Sequence, residues 1–302
     1  HEPLNLQEFY SSLEEIGTSI QVGEGEGLYR MHIHVETDKR YDPIDYTMSI
    51  GTITKVHIEN LMEQMEAIER QTGGAPVNIL PIEAGQIAVI AVSPGKGISQ
   101  VFASLGVAGI VEGGQTMNPS TEDLLGAFED LPTDKVVLLP NNKNIIMAAN
   151  NAAELTVKKV AVIPSRTIPQ GLAAMFRLVP HGDLDSVAAD MISALEDVDT
   201  AEITTAIRSV EIDGVNVEEG ETIALFNGKL LVSAGSLEEA CNSLLNKLEL
   251  DNYELITLFH GEDVSNQVAN QITDEIRASH PQLEIELQDG GQPHYQFIIS
   301  FE

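Results

Sequence analysis

Three polar segments of the sequence carry the side chains best suited to hold an anion or a partner protein. Residues 113–120, 140–144 and 164–171 each follow an apolar run and lead into a predicted helix. Free N–H groups and the dipole at a helix N-terminus favour negative charge. Open parallel sheets bind ligands beyond the carboxyl ends of their strands, so we expect one binding crevice or partner surface there. Its candidate residues are Thr116, Asn118, Ser120, Asn141, Asn142, Lys143, Asn144, Ser165, Arg166 and Gln170.

Helix capping is an alternative role for these polar residues. Ser120 and Asp123 have the spacing of a capping box, with Asp in place of the usual Glu. Thr121 and Asn142 are also residue types that cap helices. Capping would explain any one segment, whereas three such segments at one sheet edge favour binding.

A glycine-rich segment, residues 93–97, follows a predicted strand and opens a predicted helix. It partly matches the dinucleotide-binding pattern GxGxxG, but Gln100 stands at the third glycine position. Glu112 lies near the expected place of a ribose-binding acid. Dinucleotide binding is therefore a minor alternative. No GxxxxGK[ST] segment occurs in the sequence, which excludes a P-loop kinase.

His32 and His34 form a candidate metal-ligating pair on a predicted strand. Because side chains alternate along a strand, both imidazoles lie on the same face, within reach of one metal ion. His57 lies on another predicted strand. Zinc usually takes three or four protein ligands, so the pair is an incomplete site, and two polar residues on an exposed strand face are the alternative.

Two segments of the last fifty residues place polar groups where strands meet turns. His260 and Glu262 are a candidate acid/base pair, and Gln292 lies in a Gly-Gly-Gln-Pro segment. Turn formation explains both segments equally well. The sequence contains neither a Ser/His/Asp order nor a GxSxG elbow, so we assign no catalytic residue.

The elements that must position these residues predict an α/β protein with three parts. Residues 1–74 form a small α+β unit, truncated at its N-terminus and followed by a Gly/Pro linker at 71–76. In residues 75–181, apolar runs alternate with helical patterns, which is typical of a parallel Rossmann-like sheet covered on both faces. Residues 182–302 form a second α/β lobe with a hairpin turn at Asn227-Gly228. Further predicted elements include a helix at 6–16, a hairpin of 19–22 with 28–35, strands at 52–58 and 203–212, and a helix at 61–70.

The composition indicates which classes of partner and which cellular compartment suit the chain. The 302 residues carry a net charge of −31, which disfavours nucleic-acid binding and suits a basic or apolar partner face. No apolar stretch reaches about 18 residues, so we expect no membrane insertion. The chain has one cysteine, Cys241, within an apolar helical pattern. It is expected to be a buried thiol, and the absence of any disulfide fits a reducing, cytoplasmic compartment.

Several longer motifs together resemble one family. GQTMNPSTEDLL at 114–125, LPNNKNII at 139–146 and IPQGLAA at 168–174 look like the carboxyl-terminal region of FakA, the kinase component of bacterial fatty acid kinase. This family is dihydroxyacetone-kinase-like, and the region is also known as a DAK phosphatase domain. HGED at 260–263 and GGQPHYQFIIS at 290–300 fit as well. The HIH and IENLM motifs between residues 28 and 62 are similar to the family's middle domain.

The resemblance implies a division of labour. The family's ATP- and magnesium-binding domain would lie upstream, outside this sequence. The middle domain is implicated in dimerisation and in a zinc site made by one Cys and an HxH pair. Only His32 and His34 match here, because the zinc cysteine would precede His1 and Cys241 lies too far along. The loop at 35–43 is also longer than in the family, which bears on the dimer face.

The resemblance also implies a function in lipid metabolism through protein–protein interaction. The carboxyl-terminal region is DegV-like, and it is thought to dock a DegV-type fatty-acid-binding protein that presents its fatty acid for phosphorylation. We therefore expect a docking region that also supports a homodimer and lacks kinase activity alone. One alternative is a phosphatase or small-molecule phosphate-binding domain that uses the same helix N-termini. Another is a lipid-binding module in its own right.

Overall fold

The computed structural model contains two compact units, His1–Pro76 and Val77–Glu302. It describes residues 6–25, 28–35, 39–54, 56, 77, 79, 81–115, 117–212 and 214–302. Each unit is an α/β assembly built around its own sheet or sheets, and the mixed fold class predicted from the sequence is confirmed.

The first unit packs helices beside a β-hairpin. Its elements are α1 Leu6–Glu14, β1 Thr18–Gly25, β2 Leu28–His34 and α2 Asp42–Ile50. The two strands are antiparallel, as predicted, and Phe9 of α1 stacks on Tyr46 of α2 with ring centroids 5.8 Å apart. The helix predicted at 61–70 lies outside the described residues. Of the strand predicted at 52–58, the described residues 52–54 and 56 are irregular.

A four-stranded parallel sheet begins the second unit, in the order β4-β3-β5-β6. Both faces of its two central strands are covered, which explains their unbroken apolar sequences. Its strands are β3 Ile87–Ser93, β4 Gly109–Glu112, β5 Lys135–Leu139 and β6 Lys159–Val162. The intervening helices are α3 Lys96–Ser104, α4 Thr121–Gly126, α5 Ile146–Glu154 and α6 Ile168–Met175, and α7 Leu184–Ser193 follows.

A six-stranded mixed sheet completes the second unit, in the order β11-β10-β7-β14-β12-β13. Its strands are β7 Asp199–Thr205, β10 Thr222–Phe226, β11 Lys229–Ala234, β12 Leu255–His260, β13 Glu284–Asp289 and β14 Tyr295–Phe301. Two further strands, β8 Val210–Ile212 and β9 Val215–Val217, pair with each other, and the helices are α8 Leu237–Leu245 and α9 Asn266–Ser279. The turn at Asn227-Gly228 joins β10 to β11, with positive φ at both residues as a primed turn requires.

The single strand predicted at 203–212 was wrong. β7 stops at Thr205, and β8 begins at Val210. The N–H of Ala206 still donates to the carbonyl of Glu221, but the carbonyl of Ala206 accepts from the N–H of Gly220 and not from that of Glu221, so the regular pairing with β10 breaks at this residue. Apolar periodicity alone did not reveal the interruption.

The two sheets of the second unit share one apolar core. Phe259 and Ile298 of the mixed sheet pack in the same buried cluster as Phe102 and Met175, which lie on helices of the parallel sheet. Helix α7, which falls after the predicted boundary at residue 181, also packs into that cluster. The predicted division of the chain at residues 74 and 181 stays a prediction.

Candidate functional site

The three polar segments follow β4, β5 and β6 at one edge of the parallel sheet, and hydrogen bonds join them. The Asn142 side-chain amide donates to Gln115 Oε1 over 3.1 Å, which links the first segment to the second. The Asn141 N–H donates to Ser165 Oγ over 3.0 Å, which links the second to the third. The parallel topology thus brings the segments together, as expected for strands whose carboxyl ends meet at one edge.

Asn141 is the internal anchor of this edge. Its Nδ2 donates to the carbonyl of Val92 over 2.9 Å, and its Oδ1 accepts from Ser165 Oγ over 2.8 Å. Its φ of 53° is left-handed, which Asn tolerates better than most residues. A Cβ on Gly171 would overlap the Asn141 side chain, so glycine is required there. Asn141 and Ser165 are buried and face the chain's own atoms.

The remaining predicted residues divide between exposed and partly buried positions. Asn118, Ser120, Lys143, Asn144 and Arg166 are exposed. Asn142 and Gln170 are partly buried, and Gln170 holds the third segment by accepting from the Arg166 N–H and donating to the Leu195 carbonyl. Thr116 lies outside the described residues.

Ser120 caps α4, as the alternative interpretation proposed. Its Oγ accepts from the N–H of Asp123, and the Asp123 carboxylate accepts from the Ser120 N–H, which completes a capping box. Hydrogen bonds from the Ser120 side chain and backbone hold the pKa of Asp123 below its ordinary value. Capping of α4 accounts for Ser120.

Lys143 and Arg166 line one surface depression of about 430 Å³ together with Ile146, Met147 and Asn150. Met147 is 75% exposed, which is unusual for a large apolar side chain. Neither cationic side chain forms a hydrogen bond or an ion pair within 4 Å with another described residue. The depression therefore concentrates positive charge and an exposed thioether in a chain of net charge −31.

Five other basic residues of the second unit have structural partners among the described residues. The ammonium groups of Lys135, Lys158 and Lys247 donate to main-chain carbonyls. Arg177 pairs with Asp197, and Arg277 pairs with Asp274 and caps the carbonyl of Ile285. Packing and pairing account for these five residues. The side chains of Lys143 and Arg166 share the lack of a hydrogen-bond or ion-pair partner among the described residues with those of Lys96, Lys159, Arg208 and Lys229, and they differ from those four because they line one depression together.

Helix α5 begins beside the depression. Among the described residues, no side chain accepts a hydrogen bond at its N-terminus, and its first turn has no acidic residue. Helices α4, α6, α7, α8 and α9 each have a Ser, Thr or Asp cap instead. The N-terminus of α5 adds to the positive potential of the two side chains. Its exposed face, Met147, Asn150, Asn151 and Glu154, was missed by the sequence analysis; the repeat of 3 and 4 residues was its only signal.

The glycine-rich segment at 93–97 is occupied by the chain itself. The N–H of Ile98, in the first turn of α3, donates to the carbonyl of Gly290 over 3.1 Å. A Cβ on Gly95 or Gly97 would overlap backbone atoms of the segment 289–292. These glycines allow two backbone segments to approach, so the structure gives no support to the dinucleotide interpretation.

His260 and Gln292 lie at the same junction. The carbonyl of His260 accepts from the N–H groups of Gly290 and Gly291, and its ring faces the Gly261 carbonyl and Asp289. Gln292 is fully buried and donates through Nε2 to the carbonyl of Phe259 over 2.8 Å. Both residues are buried among the chain's own atoms, while Glu262 is exposed. Their predicted ligand or partner role stays a prediction.

A carboxyl–phenol pair, Glu202 with Tyr295, lies close enough to Lys143 to sense its charge. Burial raises the pKa of Glu202, while the hydrogen bond from Tyr295 and the charge of Lys143 oppose that rise. Burial and the neighbouring Glu202 raise the pKa of the Tyr295 phenol. The sequence analysis missed this pair, since the two residues are far apart in sequence and meet only through the pairing of β7 with β14.

The candidate metal ligands His32 and His34 both lie on β2, where they stand opposite Gln21 and Thr18. Their role as metal ligands stays a prediction. In the part of the chain that the structure describes, no three His, Cys, Asp or Glu residues lie close enough to hold a metal ion. His57 lies outside that part. Across the described residues, no helix combines the length and apolar character needed to cross a membrane.

Comparison with known proteins gives a fold and a family. The model of the C-terminal domain of FakA-like fatty acid kinase proteins matches residues 88–302, and the model of their middle domain matches residues 1–68. Protein YloV of Bacillus subtilis is 34% identical over 294 residues, which cover 97% of this chain and 53% of YloV. The chain thus spans about half the length of the curated relatives that it matches.

Solved structures of low identity share the fold. DegV of Bacillus subtilis, a fatty acid binding protein, matches with a TM-score of 0.52 and 13% identity over 72% of this chain and 98% of its own. The fatty acid kinase (Fak) B3 protein of Streptococcus pneumoniae, loaded with linoleic acid, matches with a TM-score of 0.50 and 13% identity over 72% and 99%. With the family models spanning nearly the whole sequence, the chain belongs to the FakA-like family of fatty acid kinase proteins.

Proposed function

We propose that this chain is the non-ATP-binding part of a fatty acid kinase, and that it docks a DegV-type fatty-acid-binding protein. The observation that carries the proposal is the joined edge formed by the three polar segments. Two hydrogen-bonded links, Asn142–Gln115 and Asn141–Ser165, fix that edge while its outer side chains remain exposed. A rigid edge with exposed polar and cationic groups suits recognition of another protein better than chemistry, because binding to a preformed surface loses less entropy.

Membership of the FakA-like family supports a DegV-type protein as the partner. The described residues include no nucleotide-phosphate loop, and the chain covers about half of its relatives, so nucleotide binding and Mg²⁺ would come from another domain. In this proposal the docked carrier presents its fatty acid to that domain, and an acyl phosphate forms there. A cytoplasmic location is part of the proposal, since the buried thiol of Cys241 suits a reducing compartment.

Dimerisation and zinc are further parts of the proposal that concern the first unit. The middle-domain match covers residues 1–68, and His32 and His34 fall inside it. Zinc would need ligands beyond this pair, from outside the described residues or from a second copy. Metal analysis of the purified chain, together with its mass in solution, tests both parts. A monomer without zinc would remove them and leave the docking proposal intact.

A phosphate-binding or phosphatase function is the second candidate. The observation in its favour is the pair Lys143 and Arg166 beside the uncapped N-terminus of α5. Among the described residues that line that depression, none has a hydroxyl, thiol, carboxyl or imidazole group, so hydrolysis has no evident nucleophile there. A lipid-binding module is the third candidate, because DegV proteins share the fold. Extraction of a stoichiometric fatty acid from the purified chain would support it.

Calorimetry tests the docking proposal. The purified chain is titrated with a DegV-type protein encoded in the same genome and loaded with a fatty acid. We expect a dissociation constant near micromolar or tighter, and weaker binding by Asn142→Ala and Arg166→Ala variants that remain folded. No binding by a folded, loaded carrier would reject the proposal. Stabilisation of the chain by phosphate compounds in a thermal shift assay would then favour the second candidate.

A further inference from the structure

Opposite charges lie near the two ends of helix α5, in the order that its own dipole disfavours. Lys143 and Arg166 lie near its N-terminus, where anions would be stabilising. Glu154 is its last residue, where a cation would be stabilising. The stability of the helix therefore does not explain this arrangement.

A second depression lies beside the C-terminal part of the same helix. It measures about 520 Å³ and is lined by Glu122, Glu154 and Leu155, together with Ser120, Thr121 and Asn151. Glu122 and Glu154 are exposed, and neither forms an ion pair or a hydrogen bond with another described residue. Leu155 is 68% exposed. One depression is therefore cationic and the other anionic, and each has an exposed apolar side chain, Met147 or Leu155.

We infer that the exposed face of α5, together with the two depressions beside it, is a charge-patterned docking surface for one protein partner. The partner presents an acidic group to Lys143 and Arg166 and a basic group to Glu122 and Glu154, with apolar contacts on Met147 and Leu155. The inference rests on the proposed function, since it assigns this chemistry to the DegV-type carrier.

The pattern favours a protein over a small anion. A phosphate or a free carboxylate would use the cationic depression only and would leave the acidic depression and both apolar side chains unexplained. Met and Arg are enriched at protein interfaces, and the flexible Met side chain adapts to a partner surface. Opposite charges near the two ends of a helix also fix the register of a partner, because a shifted partner would bring like charges together.

Charge reversal tests the inference. Two double variants, K143E/R166E and E122K/E154K, are compared with K159E and E211K, which reverse exposed charges elsewhere in the same unit. Each double variant should weaken binding of the fatty-acid-loaded DegV-type protein by about tenfold or more, chiefly through slower association, and should change its salt dependence. The control variants should bind like the parent chain, and thermal midpoints confirm that all variants fold.

The outcomes separate this inference from the proposed function. If the parent chain binds no carrier, the proposed function fails and the inference fails with it. If the parent chain binds and either double variant binds equally well, the docking function stands and the inference is overturned. A third arm compares millimolar inorganic phosphate with chloride at matched ionic strength. Stabilisation of the parent chain by phosphate that is abolished in K143E/R166E, with carrier binding by the parent chain unchanged in phosphate, would assign the cationic depression to a free anion and would also overturn the inference.

Discussion

The main-chain N–H of Ile98 donates to the carbonyl of Gly290 over 3.1 Å, across 192 residues of sequence. The bond ties the first turn of α3, beside the parallel sheet, to the segment that follows β13 of the mixed sheet. Gly95 and Gly97 make the approach feasible, since a Cβ on either would overlap backbone atoms of that segment. Backbone atoms have little freedom to move aside, so this contact holds the two sheets in one arrangement.

Gly97→Ala should lower the free energy of unfolding by about 1–3 kcal/mol, because the new methyl group forces the segment 289–292 away from α3. Gly126→Ala is the matched control, since its Cβ would meet open space and its φ is not left-handed. That control should leave stability unchanged or raise it by up to about 1 kcal/mol. Urea denaturation measures both. Equal stability of the two variants would show that the junction is loose.

Asn141→Ala should destabilise the chain by about 2–4 kcal/mol. The substitution removes the donor to the Val92 carbonyl and the acceptor of the buried Ser165 hydroxyl proton, and it places Ala in a left-handed conformation. Asn144→Ala, in the same segment, removes an exposed side chain and should change stability by less than about 0.5 kcal/mol. Chemical denaturation of both variants checks the difference. A small effect at Asn141 would mean that its hydrogen bonds are replaced by water.

Cys241 should resist thiol reagents in the folded protein. The side chain is buried, and burial raises its pKa to about 12, so the reactive thiolate is scarce at pH 8. Labelling with a chromogenic disulfide should be slow in buffer and complete within minutes in concentrated urea. A Cys241→Ser variant provides the blank, since the chain has one cysteine. Rapid stoichiometric labelling of the native protein would contradict the buried position.

Glu202 should make stability depend on pH with a defined sign. Because burial raises its pKa above the ordinary value of 4.5, the folded chain holds this proton more tightly than the unfolded chain. Stability from this group is therefore greatest below the ordinary pKa and falls as the pH rises through the raised value. Glu202→Gln removes this titrating group. The stability of the variant relative to that of the parent chain should therefore increase as the pH rises from 4 to 8.

The control for this prediction is Glu211→Gln, which removes the same charge from an exposed position. It accounts for the general repulsion within a chain of net charge −31. Thermal midpoints of the three proteins across the pH range give the comparison. A parallel pH dependence for both variants would show that Glu202 carries no shift of its own.

Local sequence predicted much of the fold because its signals are short-range. The apolar runs of β3 and β5 indicated buried parallel strands, and Asn227-Gly228 indicated the hairpin. The meeting of the three polar segments followed from the topology. Their division into buried and exposed residues did not, because Asn141 and Asn144 belong to the same short segment yet differ completely in burial.

Contacts between distant parts of the chain could not be predicted from the sequence. Gly95 and Gly97 resembled a phosphate loop because any close approach to a helix N-terminus requires glycine, whether the occupant is a ligand or the chain itself. The identity of the occupant depends on residues near 290. The acidic and basic depressions beside α5 likewise combine residues from several segments, so only the spacing of the exposed positions of α5 was visible beforehand.

The position of β14 has a consequence for biosynthesis. This strand lies between β7 and β12 in the mixed sheet, although both are translated before it. Until Tyr295–Phe301 emerges from the ribosome, β7 and β12 each expose an unpaired edge, and the Gly95–Gly97 face of α3 has no occupant. Two unpaired strand edges, which are prone to aggregation, are therefore exposed in the nascent chain for much of its synthesis. Insertion of β14 is the event that closes the sheet and joins the two halves of the unit.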